Sequence, residues 1–274
     1  MPELPEVETV RRTVSGALLG LRVEAVEVAA VKMRHPLDGD KWRRLITGNR
    51  LESLDRRGKY LLARFGQAGA VVHLGMSGRL LVARPGQARL AHTHLVLHFE
   101  NGLDLRFVDP RRFGFAVVMA AQELETFPPL PELGPDPLTG DVEGALAAAG
   151  RRQRAPVRNV LLDQRVLAGV GNIYASEALF RAGIHPQRSV AALSARRRAR
   201  LATAIRQVLE ESIAAGGTTL ADGGFVASDG QAGYFAVQLA VYDREGSPCQ
   251  RCGKPVRRLV LAGRSAYYCP SCQH

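Results

Sequence analysis

The sequence has no cysteine before position 249, no apolar run of about 20 residues, and far fewer acidic than basic side chains. Each shortage excludes something. With all four cysteines past residue 248, a disulfide framework cannot staple the body of the protein. The missing apolar run rules out a membrane-spanning helix, and no signal-peptide pattern opens the chain. Both point to a cytoplasmic protein that stays off membranes. With 26 Asp+Glu against 37 Lys+Arg, the net charge is +11 and the pI about 10.1. Such an imbalance fits a polyanionic partner, most simply nucleic acid. An anionic membrane surface is the rival, but the chain lacks a basic amphipathic helix with bulky apolar anchors. The charge is spread: residues 1–133 hold 19 basic and 15 acidic groups, residues 134–274 hold 18 and 11. Two basic lobes suggest a cleft, where a basic tail would suggest loose tethering. There are no internal repeats.

What is present reads as two kinds of structure. An opening helix over "MPELPEVETV" is followed by "RVEAVEVAAV" (22–31), which alternates at period two as a half-buried strand does. Further strand candidates are "YLLARF" (60–65), "AVVHL" (70–74), "HLVLHF" (94–99), "LDLRFV" (103–108) and "FAVVM" (115–119). Strands this close, with no helices between them, predict a sandwich or barrel. The stretch "FPPLPELGPDPLTG" (127–140) holds five of 15 prolines and reads as an interdomain linker. Helices are predicted after it, over "NIYASEALFRAG" (172–183), closed by Gly183, and over "SARRRARLATAIRQVLEESIAAGG" (194–217). The Gly-rich stretch 218–235 reads as a loop.

Two segments carry chemistry. At the start, removal of Met1 makes Pro2 a terminal secondary amine. Terminal amines have pKa values of about 7.7–8.0, so part of this one is uncharged and nucleophilic near neutral pH. Glu3 and Glu6 stand within about one helical turn of it. The ordinary reading competes: proline suits a first helical turn, and Glu3, Glu6 and Glu8 complement the helix dipole. At the other end, Cys249-x2-Cys252-x16-Cys269-x2-Cys272 has the spacing of a four-cysteine zinc site. Four thiolates close the coordination sphere, so one structural Zn2+ is expected. "VRRLVL" and "SAYY" read as its hairpin strands, too short to fold without the metal. Arg264, at the turn, is a candidate phosphate contact.

The "MPELPEVET" start, "DPRRFG" (109–114), "GVGNIYASEALF" (169–180) and the terminal four-cysteine hairpin together resemble bacterial formamidopyrimidine-DNA glycosylase, from Pro2 to Gln273 and in order. The resemblance implies an α+β protein of two domains. Residues 1–126 form a catalytic β-sandwich behind a leading helix, and 127–140 a linker. Residues 141–240 form a helical domain with a helix–two-turns–helix element and a lesion loop, and 241–274 the zinc hairpin. It implies a monomer acting on duplex DNA that contains oxidised purines or abasic sites, with the target nucleotide flipped out of the stack. In such enzymes the terminal proline, here Pro2, attacks C1′ of the damaged nucleotide and forms an iminium; β- and δ-elimination then cut the strand. Glu3 matches the general acid and Glu6 positions the amine or the water. Met76, Arg111 and Phe113 fill the gap left by flipping, and Arg111 hydrogen-bonds the opposite base. Lys59, His73, His92, Asn172 and Arg264 match positions that grip the backbone around the lesion, and Tyr234 reaches the DNA.

The match strains in places. Ala221 follows "TTL" where some members have lysine, and Arg158 stands where lysine also occurs. Two rivals stay open. One is an endonuclease VIII-like glycosylase for oxidised pyrimidines, against which "PELPE" in place of "PEGPE" argues. The other is a non-catalytic zinc-hairpin DNA-binding protein, against which an exposed Pro2 beside Glu3 argues.

Overall fold

The computed structural model describes every residue except Lys32 and residues 219–237. The chain divides into two compact units, Met1–Pro131 with Ala215–Ala236, and Glu132–Ala214 with Val237–His274.

The first unit opens with helix α1 (Leu4–Leu18), whose Leu4, Val7, Val14 and Leu18 recur at helical spacing and are buried. Strand β1 (Val23–Val28) leads to a short helix α2 (Gly39–Ile46). Asp38 caps α2 by accepting the Lys41 N–H at 2.9 Å, and Trp42 and Ile46 turn inward. Seven strands follow: β2 (Ser53–Arg57), β3 (Tyr60–Phe65), β4 (Ala68–His73), β5 (Arg79–Ala83), β6 (Thr93–Phe99), β7 (Asp104–Val108) and β8 (Phe115–Ala120). They form two antiparallel four-stranded sheets, ordered β1-β6-β7-β5 and β2-β3-β4-β8. The core between them includes Leu61, Phe65, Val72, Leu97, Phe99 and Phe107, with α1 and α2 contributing Val10, Val14 and Trp42. This is the sandwich option, and it hides the apolar alternation that the strand segments displayed. Two strands and α2 went unread in the sequence. "SLDRR" carries three charged side chains in five residues, so its single buried Leu54 gives little alternation.

In the second unit, residues 134–140 run against the turn at 163–168: the Gly134 N–H donates to Gln164 O and the Ala168 N–H to Pro135 O. Helices α3 (Val142–Arg152), α4 (Val157–Leu162), α5 (Asn172–Ala182) and α6 (Ala195–Ala214) follow. Gly183 closes α5 at φ 63°, as its position predicts. Two turns join α4 to α5. Gln164 staples them, donating to Leu162 O and Val170 O while accepting the Gly169 N–H. The chain ends in a hairpin of β9 (Arg257–Leu261) and β10 (Arg264–Tyr268). Ala262 and Gly263 both take positive φ, 47° and 74°, at its two-residue turn. That pattern belongs to a I′ turn, which the sequence marks only by its glycine.

Candidate active site and metal centre

The N-terminus of α1 gathers Pro2, Glu3 and Glu6, all buried, while Met1 is half exposed. In the form that carries Met1, Pro2 is thus covered and not the exposed residue expected. Glu3 sits at the N-cap position with extended backbone. Glu6 uses both carboxylate oxygens on backbone donors: Oε2 accepts the Glu3 N–H at 2.8 Å and Oε1 the Thr218 N–H at 2.9 Å. One side chain therefore holds the chain start and a point 212 residues further on. Glu8 is no surface residue. It is buried, accepting from Arg11, Arg12 and Arg56. Burial alone would raise its pKa, but those hydrogen bonds outweigh it and hold the carboxyl at about 2.

Lys59 follows Gly58 in the two-residue turn between β2 and β3, with Gly58 at φ 58°. The Lys59 side chain is buried, and its charge acts on His73 at the end of β4. Burial first, then Lys59 and His35, lowers the His73 pKa to about 4. The imidazole is therefore neutral at physiological pH. Its Nδ1 accepts the Gly75 N–H at 3.1 Å, which assigns the ring proton to Nε2. Tyr60 and Phe115 pack against the ring, with centroids 4.9 and 5.6 Å away.

Two turns of this unit are built as one body. Residues 74–78 fold into a tight loop in which the Gly78 N–H donates to Leu74 O. Gly75 has φ 61°, and a Cβ there would lie 2.4 Å from the Gly114 nitrogen. Only glycine permits that approach. Asp109, wholly buried, then ties the loop to residues 109–114. Its Oδ1 accepts from Ser77 Oγ at 2.6 Å and the Arg111 N–H at 3.2 Å, and its Oδ2 accepts the Gly114 N–H at 2.7 Å. His94 Nε2–H donates to the Asp109 carbonyl at 2.8 Å, and the Asp109 N–H donates to the carbonyl of His92, an exposed residue at φ 64°. From this base Met76 and Phe113 project, 42% and 44% exposed, with the Arg111 guanidinium 4.9 Å from the Phe113 ring centre. Two large apolar side chains and a cation are thus held in water on a rigid support, at a cost that folding alone does not explain.

In the second unit Asn172 is the first residue of α5, behind Gly171. Arg264 is exposed at the start of β10. Arg158, in contrast, is 1% exposed and donates to Leu261 O, Ser265 O, Asn172 Oδ1 and Asn159 Oδ1. Tyr234 lies outside the described residues.

The Sγ atoms of Cys249, Cys252, Cys269 and Cys272 all lie within 4.8 Å of one another. Cys249–Cys272 is 4.0 Å and Cys252–Cys269 3.5 Å, far beyond the roughly 2.05 Å of a disulfide. A tetrahedral ion with zinc–sulfur bonds of about 2.3 Å places its ligands about 3.8 Å apart, so the four thiols fit zinc. Burial and hydrogen bonds from the other three cysteines push the Cys272 thiol up to about 12; a cation is what makes four thiolates tenable here. Gln273 is buried beside them, accepting the Cys269 N–H and donating to Ile184 O past the end of α5.

Three residues went unread as positioning groups: Asp109, Arg158 and Glu177. Buried on α5, Glu177 accepts the N–H groups of Ala240, Val241 and Tyr242 at 2.8–3.0 Å. The signal was there: the one charge inside "NIYASEALF" needs a partner when the helix is buried.

The comparisons agree along the whole length. Residues 1–116 match the formamidopyrimidine-DNA glycosylase N-terminal domain, 133–223 the formamidopyrimidine-DNA glycosylase H2TH domain, and 246–274 the zinc finger found in FPG and IleRS. The formamidopyrimidine-DNA glycosylases of Methylococcus capsulatus and Geotalea uraniireducens are 48% and 46% identical, each match covering 100% of both chains. The MutM (Fpg) crystal structure from Thermus thermophilus superposes with a TM-score of 0.87 at 40% identity, over 99% of this chain and 98% of that one. A point mutant of Lactococcus lactis Fpg, crystallised with DNA containing Fapy-dG, gives 0.90 at 30% identity over 99% of both. With three domains matched in order and relatives aligned end to end, the chain belongs to the formamidopyrimidine-DNA glycosylase family.

Proposed function

We propose that this chain is a base-excision repair glycosylase that removes oxidised purines (8-oxoguanine and formamidopyrimidines) from duplex DNA, and that it also acts as an abasic-site lyase. Family membership supports the glycosylase activity, and the Lactococcus lactis relative has been crystallised with abasic-site DNA as well. No helix among the described residues is long and apolar enough to cross a membrane. The proposed setting is the bacterial cytoplasm, beside the chromosome.

The arrangement that carries the reading is the N-terminus of α1. Met1 is exposed to removal, and Pro2 precedes a helix start held by Glu6. Attack of the neutral Pro2 amine on C1′ displaces the base, which leaves with the electron pair of the glycosidic bond and takes a proton. The amine then gives up its own proton, and the C1′–O4′ bond opens with its electron pair and a proton going to O4′ as the C1′–nitrogen double bond forms. The nitrogen stays positive as an iminium without needing a proton, and that charge acidifies C2′ for elimination. Glu3, one residue away, is the proton donor to the sugar or base. Glu6 is positioned by two backbone N–H groups and serves to fix the amine. Met76 and Phe113 fill the gap in the stack, and Arg111 reads the opposite base. Lys59, His73, His92, Asn172 and Arg264 hold the phosphates, with neutral His73 offering its Nε2–H. Zinc, bound by the four cysteines, holds the hairpin in shape and takes no part in the reaction.

Borohydride trapping on duplex DNA with 8-oxoguanine opposite cytosine, followed by peptide mass mapping, tests this. The expected adduct is on Pro2. No adduct on this duplex or on oxidised-pyrimidine duplexes, with the N-terminus free and zinc bound, overturns the proline mechanism. Trapping only on oxidised-pyrimidine duplexes transfers the substrate assignment to the endonuclease VIII-like reading.

A further inference from the structure

Arg158 is a charged side chain sealed inside the second unit, and its hydrogen bonds identify what it organises. Nη2 donates to Asn172 Oδ1 at 2.6 Å and to Ser265 O at 3.0 Å; Nη1 donates to Leu261 O at 3.1 Å. These acceptors come from the first residue of α5 and from both strands of the hairpin. Leu261 and Arg264 pair across the turn, so the two carbonyls held by Arg158 bracket Arg264. A guanidinium only donates. The asparagine amide beside it must therefore present Oδ1 inward, which turns the two Nδ2–H donors away from the arginine. They add to the backbone N–H groups at the start of α5, an arrangement suited to an anion.

We propose that Arg158 is a positioning residue for DNA binding: it sets the amide of Asn172 and the turn that carries Arg264 as one phosphate-gripping pair, without touching phosphate itself. This rests on the reading of Asn172 and Arg264 as phosphate contacts. Its planar fork reaches three elements at once. Lysine at this position brings a single nitrogen and cannot hold both strands and the amide in one plane.

The test is a double-mutant cycle on the zinc-loaded full chain. Affinity for a duplex containing a tetrahydrofuran abasic-site analogue is measured by anisotropy across a salt series, with zinc content measured alongside. R158Q and N172A are each expected to bind about tenfold more weakly with zinc retained. Their combined loss is expected to be clearly less than the product of the two single losses, because the part of the arginine's effect that runs through the amide is already gone in N172A while the part that runs through the Arg264 turn remains. R158K is expected to recover part of the loss. Full affinity in R158Q overturns the proposal. So does a multiplicative loss in the double variant with the salt slope lowered by about one further unit, the mark of a direct phosphate ligand. Should R158Q shed zinc, R158K alone and combined with N172A gives the same cycle, and additivity there overturns the proposal. Full affinity in N172A alone defeats the phosphate reading and this inference with it. Weak N172A with intact R158Q defeats the inference alone.

Discussion

Asp109 shows how much one side chain can fix. Its carboxylate accepts from a hydroxyl and two backbone N–H groups in a site with no exposure. Replacement by Asn turns one acceptor into a donor facing the Gly114 N–H. D109N is expected to lose about 3 kcal/mol, since hydrogen bonds to a charged group contribute about 1.5–3 kcal/mol each. Urea unfolding measures this, and an unchanged midpoint refutes the assignment. The sequence made Met76, Arg111 and Phe113 legible through "HLGMSG" and "DPRRFG", but not the carboxylate beneath them. A motif shows which residue types recur together, and not which of them faces inward. Glu8 taught the same lesson: three arginines, one of them 48 residues away, converge on it, and only folding brings Arg56 there.

At the scale of elements, the informative contacts are between turns. Gly75→Ala meets two obstacles, a φ of 61° and a Cβ 2.4 Å from the Gly114 nitrogen. The 74–78 and 109–114 turns must separate to admit it. The expected outcome is a sharp loss of lesion excision, with binding to undamaged DNA largely kept; a single-turnover assay beside an affinity titration separates the two. Excision at the wild-type rate would show that the two turns need not move together. The elements themselves were largely readable. "YLLARF" coincides with β3, and the stripe through Leu201, Ile205, Val208 and Leu209 lies on the buried face of α6. What escaped were β2, whose pattern is diluted by charge, β5, whose buried Leu80 and Ala83 stand three apart and break the alternation, and helices α2, α3 and α4. Eight residues of α2 bury only Trp42 and Ile46, too few for a periodic signal.

For the molecule as a whole, acid acts in two windows. The folded-state pKa of His73, about 4, lies below its ordinary 6.5. Its contribution is therefore complete above pH 6.5 and is lost as pH falls towards 4, by up to ~3 kcal/mol. Glu8, held at about 2 against an ordinary 4.5, is affected only below that, from pH 4.5 downwards. Stability measured against pH is expected to fall in these two steps, and His73→Gln is expected to remove the first while leaving the second. If the first step survives that substitution, another group causes it. Zinc removal acts elsewhere. A chelator is expected to collapse the hairpin and weaken DNA binding while amide exchange in β3, β4 and β8 stays slow. Loss of protection there would mean that the sandwich depends on the metal.

The course of the chain has a consequence for modularity. It leaves the first unit at Pro131, returns at Ala215, and departs again for the second unit at Val237. On its return, the Thr218 N–H docks on Glu6, four residues beyond Pro2. A fragment ending at residue 131 keeps every strand of the sandwich yet lacks the donor that Glu6 of its opening helix receives. No single cut separates the two units cleanly, so neither can be exchanged between proteins by one recombination event. The gene can lend out its zinc hairpin as a block, but the proposed reaction centre is inherited only together with the helices that lie between Pro131 and Ala215.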